Sequence, residues 1–293
     1  MNPNICVVVP VRNRIELTKR FLEAFFKSTY KCFTMVIVDD ASTDSTVEYI
    51  TKKYPEVVLL HGDGNLWWTG ATNMGVKYAI ENNYDYVLTI NNDSVVEKEF
   101  LEILVNTANH HPKKLIGSLI LRSDNKRIWS IGGRLDWDSK FLFNLNHYDA
   151  DTKILKTLPN PFPVEILNGN GTLIPVEVFK KIGYYNFTFT PHYHADSEIV
   201  VRAKKFGYDA VVCLDAVLVN EISTVPLITR KWDLVFWKKS DYYWRPLIYF
   251  YLVHGPKRKI FNFFKQYYHF FSDVKPIRFL KRVYKYIERK ISK

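Results

Sequence analysis

The feature that most constrains the fold is a regular alternation of short apolar runs and amphipathic segments along residues 5–91. Four runs have the length and composition of buried strands: ICVVVP (5–10), FTMVIVDD (33–40), EVVLLHG (56–62) and DYVLTIN (85–91). Segments 14–27, 42–54 and 69–83 between them have helical spacing, with Phe21 and Phe25 on one face of the first. Strands that alternate with helices form βαβ units, so the sequence predicts an α/β fold with a mainly parallel central sheet flanked by helices.

Polar residues follow all four predicted strands. They are Pro10, Arg12 and Asn13; Asp39 and Asp40; His61 to Asn65; and Asn91 to Asp93. For any one cluster, a turn or a helix cap is the better explanation, since Asn, Asp and Ser are common in both. In parallel sheets, however, ligands bind beyond the carboxyl ends of the strands, which share one edge. The four clusters together therefore predict a ligand site at that edge.

The composition indicates a globular protein of the cytosol. Hydrophobic residues make up 47% of the chain, which is enough for a core. Cys6, Cys32 and Cys213 lack metal-ligand spacing and fit a reducing compartment. The chain shows no signal-peptide pattern, and the apolar run PLIYFYLV (246–253) is too short to span a bilayer. We therefore expect a cytoplasmic location.

Charge divides the chain near Pro226. Residues 1–227 contain 24 Lys and Arg against 26 Asp and Glu, whereas residues 228–293 contain 17 against 4. The second stretch is also crowded with Trp, Tyr and Phe. This shift predicts one domain of residues 1–227 and a basic, aromatic, helical C-terminal region of residues 228–293.

The C-terminal region has three interpretations. Nucleic-acid binding is not expected, because none of the usual recognition signatures is present. Segments 257–271 and 277–293 place aromatic and apolar residues beside Lys and Arg at helical spacing, as in helices that lie on anionic membranes. A helical cap packed on the first domain, with a solvated basic face, explains the pattern equally well.

Several blocks resemble family 2 glycosyltransferases. They are VVVPVRNR (7–14), VIVDDASTDST (36–46) and LTINNDS (88–94), and the block GNLWWTGATNMG (64–75) is similar to the rhamnosyltransferase-like branch. The resemblance extends over about residues 5–224. It implies a GT-A fold, with a nucleotide-binding half (1–95) and an acceptor half (96–227).

The resemblance also implies which residues hold the donor. It assigns nucleotide contacts to Pro10, Arg12, Asp39, Asp40, Asn65, Gly70, Asn73 and Asn92. A carboxylate such as Asp39 or Asp40 suits the ring N–H of a pyrimidine, although Asp40 with Ser42 is also a plausible cap for the next helix. Trp67 and Trp68 would wall the sugar or the acceptor, and core packing is an equally good explanation for either ring.

The triplet Asn91-Asn92-Asp93 stands where the family has an Asp-x-Asp motif. Asp93 matches the position that holds Mn²⁺ or Mg²⁺, ions that prefer oxygen ligands and keep phosphate oxygens and waters. Because the triplet contains a single carboxylate, we expect weak metal binding in the absence of nucleotide. After the last predicted strand, Asn220 stands where the family often has a metal-binding histidine, and this leaves the third protein ligand open.

In the acceptor half, ADSEIVVR (195–202) matches an acidic family motif at the start of a helix. The resemblance makes Asp196 the catalytic base, with Ala195 replacing the preceding acid and Glu198 the following one. Asp196 would equally suit a helix cap, and Glu198 sits four residues before Arg202 and is more simply its ion-pair partner. Asn170, His192 and His194 are assigned to the acceptor or the sugar. A zinc site at the two histidines lacks a third ligand with convincing spacing.

The sequence thus predicts an inverting, metal-dependent hexosyltransferase of polysaccharide biosynthesis. The donor would be a nucleotide-diphospho-sugar, with dTDP-rhamnose the first choice and a UDP-hexose the second. The acceptor would be a hydroxyl of a glycan or lipid-linked glycan, and the protein would lie at the inner face of the cell membrane. Two alternatives stay open: a degenerate transferase acting as a membrane-tethered binding module, and a nucleotidyltransferase with a similar fold.

Overall fold

The computed structural model describes residues 2–139, 141–221, 231–238, 240 and 243–271. The first elements alternate as the sequence predicts: β1 (Ile5–Val11), α1 (Ile15–Phe25), β2 (Phe33–Asp39), α2 (Thr46–Lys53), β3 (Val58–His61), α3 (Trp67–Glu81) and β4 (Tyr86–Thr89). The next are β5 (Ser94–Val96), α4 (Phe100–His110), β6 (Lys114–Arg122), β7 (Ile128–Ser130), β8 (Gly133–Leu135), β9 (Phe143–Leu145), β10 (Phe162–Val164), β11 (Thr172–Pro175), α5 (Val176–Ile182), α6 (Ala195–Lys204) and β12 (Asp209–Asn220). The described part of the C-terminal region contains the α-helices α7 (Lys231–Phe236), α8 (Trp244–Tyr249) and α9 (Ile260–Phe270).

The central sheet has the strand order β10-β12-β6-β11-β4-β1-β2-β3, with β5 paired to β12 and β7 to β6. Strands β4, β1, β2 and β3 are all parallel, as predicted. Strands β6 and β12 are also parallel, so the prediction of a mainly parallel central sheet is confirmed. The antiparallel strands are β11, between β4 and β6, then β10 and β5 against β12, and β7 against β6. The βαβ pattern that predicts parallel pairing ends at β4, and no local pattern indicates the directions of the strands that follow.

Helices cover both faces of the sheet. Alternate residues of β1 point to opposite faces, so that Val7 and Val9 join one buried cluster and Cys6 and Val8 join the other. Helices α1 and α4 pack on the first face, and α3, α5 and α6 on the second. A Cβ atom built on Gly75 of α3 would lie 2.3 Å from Cγ1 of Val8, so the absence of a side chain lets this helix approach β1 closely.

The chain forms two compact units. The first contains residues 1–134 and 145–225, and the second contains residues 135–144 together with the described part of the chain from residue 226 onward. Within the second unit, Trp137 packs edge-on against Tyr251 with ring centroids 5.3 Å apart, and Phe143 packs against Phe250 at 4.8 Å. The predicted linear boundary omits the hairpin segment 135–144, whose short length and mixed polarity gave no sign of this packing. The predicted amphipathic segment 277–293 lies outside the described residues.

Candidate active site

The carboxyl ends of β1, β2, β3 and β4 meet at one edge of the sheet, because these strands are parallel and adjacent. Side chains connect the loops that follow them. Oδ1 of Asn13, after β1, accepts a hydrogen bond of 2.7 Å from the backbone N–H of Thr43, after β2. The Arg12 guanidinium donates to the carbonyl of Gly64, after β3, and lies 3.8 Å from the Asp40 carboxylate. Nη1 of Arg14, after β1, lies 3.5 Å from Oδ2 of Asp93, after β4. The four polar clusters of the sequence are therefore joined at one edge.

The two neighbouring carboxylates at the end of β2 have different surroundings. Both oxygens of Asp40 already accept hydrogen bonds. Oδ1 accepts from the N–H groups of Gly64 (2.8 Å) and Leu66 (3.2 Å), and Oδ2 accepts from that of Trp67 (3.2 Å). It therefore holds the loop that leads into α3, rather than capping α2 with Ser42. Asp39 is 3% exposed.

Only one oxygen of Asp39 has a hydrogen-bond partner. Oδ2 accepts from the N–H of Ser42 at 3.1 Å. Oδ1 is buried without a partner. Because buried polar atoms are nearly always hydrogen-bonded, this oxygen is an acceptor available to a ligand.

The triplet after β4 forms a turn that hydrogen bonds from other segments hold in place. Oδ1 of Asn170 accepts from the backbone N–H of Asn91 (2.9 Å) and from the hydroxyl of Ser94 (3.0 Å). The amide nitrogen of Asn170 donates to Oδ1 of Asn220 at 3.0 Å. The buried side chain of Asn92 donates to the hydroxyl of Thr18 on α1 at 2.9 Å. The predicted acceptor residue Asn170 thus positions the triplet, and Asn220 supports it.

Asp93 is the carboxylate that the turn presents. Its side chain is 15% exposed, Oδ2 lies 3.5 Å from Nη1 of Arg14, and Oδ1 is buried without a hydrogen-bond partner. Burial raises the pKa of Asp93, and Arg14 opposes that shift while the negative charge of Glu221 adds to it. The N–H of Glu221 also donates to the Asp93 carbonyl at 2.9 Å.

A divalent cation fits this carboxylate, because the unpartnered oxygen is a hard ligand in need of a positive partner. Across the described ranges, no three His, Cys, Asp or Glu side chains come together to hold a metal ion. Phosphate oxygens and water are the ligands that such an ion usually keeps beside one or two carboxylates.

Asp196 occupies the first turn of α6 and faces Gly169. Its Oδ2 accepts from the N–H of Gly169 at 2.7 Å, and its Oδ1 accepts from that of Ser197 at 2.8 Å. Burial raises the pKa of Asp196, and the nearby His194 lowers it. A carboxylate with a raised pKa is a stronger base than a solvated one, so the environment suits proton abstraction.

Trp68 connects the triplet with Asp196. Its Nε1 donates to Oδ1 of Asn91 at 3.0 Å. A Cβ atom built on Gly169 would lie 2.4 Å from the Trp68 ring and 3.3 Å from Cβ of Asp196. The ring is half-buried and also packs edge-on against Tyr185. Trp68 therefore contacts both the triplet that contains Asp93 and Gly169, whose N–H binds Asp196. Its ring is held by packing and by a hydrogen bond.

Glu198 has no exposed surface and pairs with Arg202. The Arg202 Nε and Nη2 each donate to it at 3.0 Å, and the same guanidinium also donates to the carbonyls of Ile182 and Tyr184. The structure thus places this predicted acceptor residue in a buried network that joins the end of α5 to α6.

Three further residues that the sequence predicts to bind nucleotide are Asn65, Gly70 and Asn73 of the 64–75 block. Asn73 exchanges two 2.9 Å hydrogen bonds with the backbone of Tyr185, and a Cβ on Gly70 would lie 3.1 Å from the Phe187 ring. Both therefore hold the loop 183–194 against α3. Asn65 is exposed, and its N–H donates to Asp63.

The loop 183–194 presents aromatic side chains just before Asp196. The exposed members are Tyr184, Phe187, Phe189 and Tyr193. The ring of Trp67 lies 6.1 Å from that of His192, which in turn lies 4.8 Å from Tyr193. His194 adopts a left-handed conformation, with φ 67°, at the start of α6. The structure therefore brings Trp67, His192 and His194 together on the side of the site next to Asp196.

Sequence reasoning missed Arg14 and Glu221, and it placed Asn13 at the site without giving it a role. Asn13 and Arg14 stand in the quoted VRNR block but have left-handed backbones, with φ of 59° and 64°, which no sequence pattern signalled. Glu221 follows directly on Asn220, the position where a ligand was sought. Its proximity to Asp93 depends on the pairing of β5 with β12.

Comparison with known proteins agrees with this geometry. The sequence pattern of Glycosyl transferase family 2 matches residues 6–182 of the 293. The chain belongs to glycosyl transferase family 2. The GT-A fold predicted from the sequence is confirmed.

Relatives of this family 2 chain are distant. An uncharacterized glycosyltransferase of Rickettsia felis is 33% identical over 101 residues, which cover 34% of this chain and 16% of that protein. The chain thus spans a small part of this relative. A dTDP-rhamnosyl transferase, RfbF of Shigella flexneri, is 23% identical over 223 residues, covering 76% of this chain and 70% of the relative.

Solved structures share the fold at low identity. GalNAc-T7, crystallised with UDP, GalNAc and Mn²⁺, has a TM-score of 0.62 and 16% identity, over 75% of this chain and 44% of that one. The mannosyltransferase PcManGT of Pyrobaculum calidifontis, in complex with GDP-Man and Mn²⁺, has a TM-score of 0.57 and 17% identity, over 84% and 64%.

Proposed function

We propose that this family 2 member is an inverting glycosyltransferase that moves a sugar from a nucleotide-diphospho-sugar to a hydroxyl of a glycan or lipid-linked glycan. The observation that supports it is the pair of unpartnered buried oxygens, Oδ1 of Asp39 and Oδ1 of Asp93, at the shared edge of β2 and β4. One suits a donor N–H of a nucleobase, and the other suits a cation. Both oxygens would be satisfied by a single nucleotide diphosphate with its metal ion.

The donor side of the reaction needs a stabilised leaving group. A divalent ion held by Asp93 would supply positive charge to the departing diphosphate. Asp39 would accept the ring N–H of the base, and Arg12, half-exposed at the same edge, would face the nucleotide. Mn²⁺ in the structures of GalNAc-T7 and PcManGT supports this cofactor, with Mg²⁺ as the alternative.

On the acceptor side, Asp196 would take the proton of the acceptor hydroxyl as that oxygen bonds to the anomeric carbon of the sugar. The bond from this carbon to the diphosphate breaks on the opposite face, so the configuration inverts. The exposed aromatic rings of loop 183–194 would pack against apolar sugar faces. This arrangement favours a carbohydrate acceptor over a small polar one.

For the donor, dTDP-rhamnose is the first choice. Its support is the resemblance of RfbF over most of both chains. A UDP-hexose remains the second choice.

We also propose that the C-terminal region binds an anionic membrane surface at the inner face of the cell membrane. Phe261 and Phe264 of α9 are 45% and 50% exposed, on the side opposite the buried Phe263 and Gln266. Leu252, at 66%, adds apolar surface within the same unit. Within the described ranges, no helix is both long enough and apolar enough to cross a bilayer. Contact would therefore be peripheral, through aromatic rings and the basic run 257–259.

The test is product analysis with a panel of nucleotide sugars, with and without Mn²⁺. Metal-dependent release of a nucleoside diphosphate from dTDP-rhamnose or a UDP-hexose is the expected result. Pyrophosphate as a product would identify a nucleotidyltransferase instead. Nucleotide binding with no release from any donor and acceptor extract would indicate a binding module.

The matched variant for this test is Asp93→Asn. We expect it to bind Mn²⁺ weakly and to lose metal-dependent release, because the amide is neutral. Its fold should persist, since the substitution removes a buried charge whose pKa is raised. Mn²⁺ titration by electron paramagnetic resonance and circular dichroism measure the two effects. Wild-type Mn²⁺ dependence in this variant would place the metal elsewhere.

A further inference from the structure

The carboxylate proposed for the metal already has a cationic partner. Arg14 is the last residue before α1, and its Nη1 lies 3.5 Å from Oδ2 of Asp93. Its backbone is left-handed, with φ 64°. In this conformation the residue turns back toward the end of β4.

This partner and a divalent cation cannot both be held well by one carboxylate, because their like charges repel at close range. Oδ2 of Asp93 lies beside Arg14, whereas Oδ1 is buried without a hydrogen-bond partner. The Arg14 side chain is 51% exposed, so it can leave Asp93 without breaking buried contacts. A guanidinium also binds phosphate oxygens through two parallel hydrogen bonds.

We propose that Arg14 is an exchangeable counter-ion of Asp93 that makes metal binding depend on the donor. Without nucleotide, Arg14 neutralises Asp93 and competes with the cation. When the donor binds, its diphosphate attracts the guanidinium, and Asp93 becomes available to the metal. This inference rests on the proposed function, since it requires a diphosphate in the site.

Thermodynamic linkage makes the proposal testable by binding alone. If the diphosphate removes the competitor, nucleotide and Mn²⁺ each strengthen the binding of the other by the same factor. Part of that factor comes from contacts between the diphosphate and the ion and does not involve Arg14. The part that depends on Arg14 disappears when its charge is removed.

The experiment measures Mn²⁺ affinity by electron paramagnetic resonance of free Mn²⁺, with and without saturating UDP or dTDP. The variant is Arg14→Asn, because Asn has no charge and tolerates the left-handed backbone. Without nucleotide, we expect this variant to bind Mn²⁺ about two- to fivefold more tightly than wild type, the range of an exposed ion pair. The enhancement by nucleotide should be correspondingly smaller.

Two controls make the result specific. Lys19→Gln removes another ion pair of α1, that with Glu16, and should leave Mn²⁺ binding unchanged. Arg14→Lys keeps the positive charge and should keep the weak Mn²⁺ binding of the free protein.

Suppose that wild type binds nucleotide and Mn²⁺ together, and that Arg14→Asn without nucleotide binds Mn²⁺ no more tightly than wild type does. This result overturns the counter-ion proposal and leaves the proposed function intact. If the wild-type protein binds neither nucleotide nor Mn²⁺, the proposed function is overturned as well. If Arg14→Asn does not fold, the comparison between Arg14→Lys and wild type decides. Tight metal binding by folded Arg14→Lys in the absence of nucleotide contradicts competition by charge.

Discussion

At the scale of single residues, the site is built from carboxylates in unfavourable surroundings. Asp93 and Asp196 both have raised pKa values because burial disfavours their charged forms. An acid whose pKa is higher in the folded state binds a proton more tightly there, so its contribution to stability is present at low pH and is lost as pH rises through the folded pKa. Where these carboxyl groups are ionised, their charges therefore lower the stability of the fold, as is common at functional sites.

Asp196→Asn tests the base. The variant should lose turnover by roughly 10²- to 10⁴-fold, the usual contribution of a general base, with little change in nucleotide affinity. Product assays and nucleotide titration measure the two effects. Near-normal turnover would place the base at another residue.

At the scale of elements, the approach of α3 to the sheet depends on Gly75. Gly75→Ala should destabilise the protein by about 1–3 kcal/mol, the usual cost of overpacking, even though Ala is the better helix former by about 1 kcal/mol. The reason is that the new Cβ would lie 2.3 Å from Val8 Cγ1. Urea denaturation measures the loss, with the exposed Lys77→Ala in the same helix as the control. An unchanged or higher free energy of unfolding would show that α3 shifts without strain.

The loop 183–194 is the element that should contact the acceptor. Phe187→Ala should raise the acceptor KM while leaving nucleotide affinity unchanged, because the residue is 43% exposed on the loop that precedes Asp196. Phe206→Ala is the control, since Phe206 is 47% exposed at the end of α6. A similar effect of both substitutions on KM would remove the loop from the acceptor site.

At the scale of the whole molecule, the excess of Lys and Arg lies in residues 228–293. The same unit exposes aromatic residues such as Phe261 and Phe264. Phe264→Ser should weaken sedimentation with anionic liposomes, and high salt should release the wild-type protein, because Lys and Arg each contribute about 1 kcal/mol near an anionic surface. Phe206→Ser in the first unit controls for general loss of aromatic surface. Equal sedimentation of wild type with neutral and anionic liposomes would contradict the electrostatic part.

The sequence by itself determined the first half of the sheet and the polar edge that follows it. Alternating apolar runs and helical patterns are local properties, so β1 to β4 and their shared carboxyl edge follow from them. Asp39 ends β2 and Asp93 follows β4, so both stand at that edge. Whether they bind nucleotide and metal stays a prediction.

Only the tertiary structure decided what each polar side chain contacts. Asp40 holds the loop into α3, Asn170 supports the triplet from the turn before β11, and Arg14 pairs with Asp93 across 79 positions. The antiparallel return of β11 and the inclusion of 135–144 in the second unit likewise depend on distant partners. These contacts join segments far apart in the chain, and their energies arise from burial and hydrogen bonding that exist only after folding. A local pattern therefore specifies where a polar group stands along the chain, and the folded environment specifies which of its atoms remain available for chemistry.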